Sequence, residues 1–170
     1  MIDSLMKRQD CGRAKNALQD YMIRKLLIPK VYLDADWNGK IVDVLAIDRA
    51  GVGDVHAVYI VYQGSDIENA LETAIANIGI HYMPHFLYVA VVNEGTDTRK
   101  FVPPTPIIQK SLAEDGVGRV GILYVDLSED DPKLQVRVIL KAERFRSSKE
   151  IVELADRYVA EHTANWEVRE

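Results

Sequence analysis

Asp43 is the residue best placed to do chemistry. It stands in "KIVDVLAID" (residues 40–48), and strand alternation puts Ile41, Asp43 and Leu45 on one face. A carboxylate on such a face has two readings. It is a ligand for a hard cation, or it is satisfied by backbone N–H groups or by a basic side chain of the first helix. The strand that follows, "VHAVYIVY", supplies no acid and no lysine. A relocated set of groups is available downstream, where Gln63 ends the strand and Glu68 and Glu72 lie one helical turn apart in "SDIENALETAIANIG".

Other signals point to packing. "GVGRVG" (residues 116–121) matches a dinucleotide fingerprint literally, but it precedes a strand rather than following one and opening a helix, so it reads as a glycine-rich turn. His81 and His85 have the spacing of two helical zinc ligands, yet Pro84 between them opposes a helix. His56 sits among apolar strand residues and reads as a sheet-face histidine. Cys11 has no histidine near it in sequence and reads as a helix-face residue.

The elements that must position Asp43 are legible from period and punctuation. Residues 3–28 have helical spacing, with Leu18, Met22, Ile23 and Leu26 near one stripe and Pro29 as the stop. "KVYLDADW" alternates Val31, Leu33 and Ala35 against Tyr32, Asp34 and Asp36, and Asn38-Gly39 predicts a hairpin turn into the Asp43 strand. A helix is predicted over 65–79, a buried strand at "HFLYVAVV", and a short helix over 107–115 after "FVPPTP". Two strands, "VGILYVDL" and "LQVRVILKA", flank the turn "SEDDPK", and a final amphipathic helix runs from Ser147 or Ser148 to about Asn165.

The chain has 170 residues, 48% hydrophobic and 28% charged, which suits a single domain (1–170) with a sizeable core. One cysteine excludes an intrachain disulfide and a multi-cysteine zinc site, and the N-terminus lacks the apolar stretch of a secretory signal. A cytoplasmic location is expected, with no membrane partner. Net charge is −5, yet residues 1–30 carry seven Lys/Arg against three Asp. A second basic cluster, Arg137, Lys141, Arg144, Arg146 and Lys149, lies near the end with only Glu143 inside it. Overall acidity argues against non-specific nucleic-acid binding, and the cluster leaves room for a weak, local contact with phosphates. Arg137 and Lys141, an even number of residues apart, would share a strand face.

The order helix, three strands, helix, strand, with "VDVLAID" followed by "VHAVYIV", resembles the restriction-endonuclease-like, or PD-(D/E)xK, nuclease superfamily. The resemblance implies an α/β fold whose core is a mixed central sheet flanked by helices. It matches Asp43 to the family's first carboxylate and aligns Tyr59 and Val61 with its second acid and its lysine. Asp43, Tyr59 and Val61 are then a vestigial motif, in which Asp43 alone retains the character of a metal ligand. The implied function is a non-catalytic domain kept for binding or scaffolding, with no cofactor. The alternatives are a Mg²⁺-dependent nuclease with migrated site residues, and a domain that pairs with a protein partner or a second copy of itself and has no nucleic-acid role.

Overall fold

The computed structural model describes residues 2–28, 30–37, 39–48, 54–62, 84–93, 120–145, 149–162 and 166–167. In chain order the elements are α1 (Ile2–Arg24), β1 (Lys30–Trp37), β2 (Lys40–Ile47), β3 (Val55–Tyr62), β4 (Phe86–Asn93), β5 (Gly121–Asp126), α2 (Pro132–Gln135), β6 (Val136–Leu140), α3 (Lys149–Glu161) and β7 (Trp166–Glu167). The helices predicted over 65–79 and 107–115 lie outside the described residues.

Among the described residues the strands form one mixed seven-stranded sheet in the order β6-β5-β4-β3-β2-β1-β7. β1, β2 and β3 are a meander of antiparallel neighbours, and β3/β4 and β4/β5 are parallel. Parallel pairing excludes a hairpin between β3 and β4. β6 and β7 close the two ends antiparallel to β5 and β1.

Two apolar layers follow from alternation. Val55, Ala57 and Val61 of β3, Leu87, Val89 and Val91 of β4, and Ile122 and Tyr124 of β5 pack in the layer that holds Ile151, Ala155, Tyr158 and Val159 of α3. Their alternates, among them Val58, Ala90, Val92, Leu123 and Val125, pack with Ala14, Ala17, Leu18 and Met22 of α1. The α1 residues recur at three- and four-residue intervals, the stripe a helix needs to lie on a sheet. Among the described residues the fold is therefore α/β, with one long helix on each face.

Helix α1 ends at Arg24, four residues before the end of the span 3–28 predicted for it. Leu27 adopts a left-handed conformation (φ 55°), and Ile28 N–H reaches back to the carbonyl of Met22 (3.2 Å). The left-handed residue ends the helix, with leucine where glycine is usual, and the bond to Met22 reaches one residue further back than a Schellman turn would. At the other terminus, α3 stops at Glu161, and the two-residue strand β7 then pairs with Lys30 and Val31. "WE" is too short to read as a strand from sequence.

The β1–β2 hairpin forms where Asn38-Gly39 predicts it. Gly39 has a positive φ (82°) and donates its N–H to Asp36 Oδ1 at 2.8 Å. The alternation expected in β1 does not persist along its length. Val31 packs on the α1 side, but Ala35 packs with Tyr32 on the α3 side. The slip occurs at Asp34, whose φ of 50° turns the following residues over. β2 slips at the same level: Val42 lies in the α3 layer, and so do Leu45 and Ile47. Ile41 is consequently not a buried companion of Leu45; it is 60% exposed.

Candidate functional site

The slipped level is where the polar groups gather. Leu33 pairs with Val44 and Ala35 with Val42, so Asp34 and Asp43 stand opposite each other at the level that the β1–β2 pairing skips. The β2–β3 ladder runs from the Ile47/Val55 pair as far as Val44/Val58. Just beyond it, Asp43 Oδ2 accepts a hydrogen bond of 2.7 Å from Ile60 N–H. The carboxylate thus serves a β3 amide at the place where paired rungs between β2 and β3 stop. An amide left without an acceptor there would cost about 1–3 kcal/mol.

Burial raises the Asp43 carboxyl above its ordinary range. The Ile60 hydrogen bond and the Lys15 ammonium oppose that rise, and the Asp34 carboxylate adds to it. Lys15 comes from α1, and its Nζ lies 2.6 Å from Asp34 Oδ1. The lysine therefore offsets the repulsion between two facing acids, which would otherwise destabilise the sheet at that level. Asp34 tolerates its left-handed backbone better than a larger side chain would, since aspartate is among the few residues that visit it.

Tyr59 and Val61 point into the layer beneath α3, where Val61 is a core member and Tyr59 packs against it. The buried Tyr59 hydroxyl has no hydrogen-bond partner among the described residues. Burial, reinforced by Asp43, pushes that hydroxyl up to about 12, so it stays a neutral phenol. Among the described residues no group of three or more His, Cys, Asp or Glu is arranged to hold a metal ion. One oxygen of Asp43 already accepts the Ile60 amide, and its strand neighbours are a phenol and a valine. These groups do not by themselves complete a Mg²⁺ site among the described residues. Gln63, Glu68 and Glu72 lie outside them.

Two residues of the basic cluster have partners of their own among the described residues. Arg137, on β6, stacks its guanidinium over the Tyr124 ring (5.2 Å). A register shift between Ile122 and Leu123 pairs Tyr124 with Arg137 but Ile122 with Leu140. Tyr124 and Ile122 share a face, so Arg137 shares it with Leu140, and even spacing no longer carries to Lys141. Arg144 lies at the far end of the segment that follows β6. Its Nη2 (2.9 Å) and Nε (3.3 Å) both donate to Asp54 Oδ1, just ahead of β3. Arg146 and the side chain of Lys149 are outside the described residues.

Sequence reasoning anticipated a basic side chain of the first helix beside Asp43 without naming Lys15, and it overlooked Asp34. The signal was partial: antiparallel pairing from the Asn38-Gly39 turn does put residues 34 and 43 opposite each other. Nothing in the sequence singles out Lys15 for that place, because its approach depends on how α1 crosses the sheet.

No family model matches the chain, and no curated protein does. A solved structure that it is similar to is a protein of unknown function from Silicibacter pomeroyi. The identity is 11%, the TM-score 0.46, and the match covers 76% of this chain and 70% of that one. This likeness carries no functional argument. No described helix is long and apolar enough to cross a membrane.

Proposed function

We propose that this chain is a restriction-endonuclease-like, PD-(D/E)xK-type domain that is kept for binding or scaffolding and does not cut nucleic acid. The strand arrangement supports the fold half of this reading. An antiparallel meander is followed by a parallel β3/β4 pair, and a carboxylate sits on the second strand. The observation that carries the functional half is the use of Asp43 as acceptor for Ile60 N–H, beside Tyr59 and Val61 in place of an acid and a lysine. A cleavage centre needs charge converging on a scissile phosphate; here the one carboxylate of the motif is committed to the sheet.

Partners are then chosen by the surface. Weak nucleic-acid binding through Arg137, Lys141, Arg144, Arg146 and Lys149 is one form of the proposal. It predicts that the logarithm of affinity falls by about 0.9 per neutralised phosphate for each tenfold rise in salt. A protein partner or second copy is the other, favoured by β6, where Val138 (51%) and Ile139 (37%) are exposed on a terminal strand next to Leu134 (55%).

A second reading rests on the approach of Lys15 and Asp34 to Asp43. It is a Mg²⁺-dependent nuclease whose lysine and remaining acids have migrated. One experiment separates the two: incubation of the purified protein with single- and double-stranded DNA in Mg²⁺ and in Mn²⁺. The binding-domain reading expects no cleavage. Metal-dependent cleavage abolished by Asp43→Ala would establish the migrated site instead. A mobility-shift titration on wild type and Arg144→Ala/Arg146→Ala then separates nucleic-acid binding from protein association.

A further inference from the structure

We infer that His85 is an acid-sensitive latch tying the start of β3 to the start of β4. His85 directly precedes β4 and is 1% exposed. Its Nδ1 accepts a hydrogen bond from Val55 N–H, the first residue of β3, at 2.8 Å. Its own carbonyl accepts from Phe145 N–H at 2.7 Å, which holds the segment after β6 against the same point. One residue thus fastens two strand ends and a crossing segment.

An imidazole nitrogen that accepts a hydrogen bond carries no proton, so neutral His85 holds its proton on Nε2. That Nε2 is buried without a partner among the described residues. A second proton has only Nδ1 to go to, and there it would confront the Val55 N–H. The two hydrogens cannot share the gap, so protonation has to break the Val55 bond. The replacement partner is already near: Asp54 Oδ1 is 3.9 Å from His85 Nδ1. Acidification therefore exchanges Val55 N–H···Nδ1 for Nδ1–H···Asp54, and Asp54 is then shared between His85 and Arg144.

The charges around the ring act in opposite directions. Asp54, just ahead of β3, favours the protonated ring, and Arg144, from the segment after β6, opposes it. His56 of β3 lies close enough to interact with His85 electrostatically, and is itself held to about 4, chiefly by burial. It stacks on Phe86 (4.6 Å between centroids), and its Nδ1 is 3.3 Å from the Tyr88 hydroxyl. Burial raises that hydroxyl, so it stays neutral. Burial is also the largest influence on His85, which it holds below the ordinary 6.5. The unfolded chain therefore takes up the proton first. The latch is fully closed above the ordinary histidine range, and its contribution is lost as pH falls through that range towards the folded value.

Imidazole ¹⁵N shifts and amide exchange, followed from about pH 7 to about pH 4, test the latch. At the upper limit His85 should be the neutral Nε2–H tautomer. As pH falls from the ordinary histidine range towards the folded His85 value, Val55 protection should fall by up to about tenfold per pH unit and then level off, while Ala90 in the middle of β4 keeps its own. His85→Gln, whose amide oxygen accepts from Val55 N–H without titrating, should flatten the pH dependence. If that variant does not fold, Asp54→Asn should move the coupled transition to lower pH. An Nδ1–H tautomer at the upper limit, Val55 protection tracking Ala90 throughout, or an unchanged transition in the variant that folds would overturn the latch.

Discussion

The sheet has two halves built by different rules. In β3, β4 and β5 parity alone assigns the packed side chains, odd positions of β3 to the α3 layer and even positions to the α1 layer. β1 and β2 follow parity only up to the level of Asp34 and Asp43, where both turn over together. A slip in one strand alone would break the register between them; a paired slip leaves it intact, with Leu33/Val44 on one side and Ala35/Val42 on the other. The consequence is polar. The level at which neither face is properly addressed is occupied by two aspartates, a lysine reaches it from α1, and one aspartate lends its oxygen to the neighbouring strand. A carboxylate in a sheet can thus be explained by backbone geometry before any chemistry is invoked.

This comparison predicts where substitutions will hurt. In the regular half, Leu123→Ala should cost about 2–5 kcal/mol in denaturant unfolding, because a fully buried leucine leaves a cavity between β5 and α1. A loss under 1 kcal/mol would mean that the α1 layer is loosely packed. Gly121→Val tests how closely the segment after β6 crosses β5. Even an added Cβ would lie 2.9 Å from Ala142 Cβ, Ala142 N and Tyr88 Cδ1. The expected cost is about 1–3 kcal/mol or more, read from the melting temperature.

At the slipped level the chemistry of the replacement should matter more than its size. Asp43→Ala removes the acceptor for Ile60 N–H and should cost about 1–3 kcal/mol. Asp43→Asn keeps an acceptor oxygen and removes a charge that burial disfavours, so at neutral pH it should be no less stable than wild type. The sign follows from the raised carboxyl. Ionised Asp43 destabilises the fold above its folded value, and that penalty vanishes as pH falls through the folded value to the unfolded one. Any advantage of the asparagine variant should vanish over the same interval. Asp34→Gly should exceed Asp34→Ala by about 1 kcal/mol, since only glycine takes the left-handed backbone without strain. The smallest effect belongs to Ile41→Ala. The slip has turned that side chain outward, and the change should stay within about 0.5 kcal/mol.

The regular half was readable because its signal is repetitive: "VHAVYIVY", "HFLYVAVV" and "GILYVD" are apolar on both faces, and a strand covered on both sides is the simplest reading of such runs. The Asn38-Gly39 turn was equally plain. The slip was not, because it depends on one backbone angle at Asp34, and aspartate in a strand does not by itself signal a left-handed residue. The bulge that separates Arg137 from Lys141 was hidden for the same reason: parity counts residues and cannot see an extra one. Asp43 was identified as exceptional from its apolar neighbours alone. Its partner, a backbone amide of the next strand, could be named only once the level at which the β2–β3 ladder ends was known.

The central claim, that the Asp43 carboxylate is built into the sheet as an acceptor for β3, is tested most directly at the Ile60 amide. Its hydrogen exchange should be compared in wild type, Asp43→Asn and Asp43→Ala under identical conditions, with Val58 as the internal reference. The account predicts a protected Ile60 amide in wild type and the asparagine variant. In the alanine variant Ile60 should lose its protection while Val58 keeps its own. Equal Ile60 protection in all three proteins would contradict it, and would return Asp43 to the residues still without a structural task.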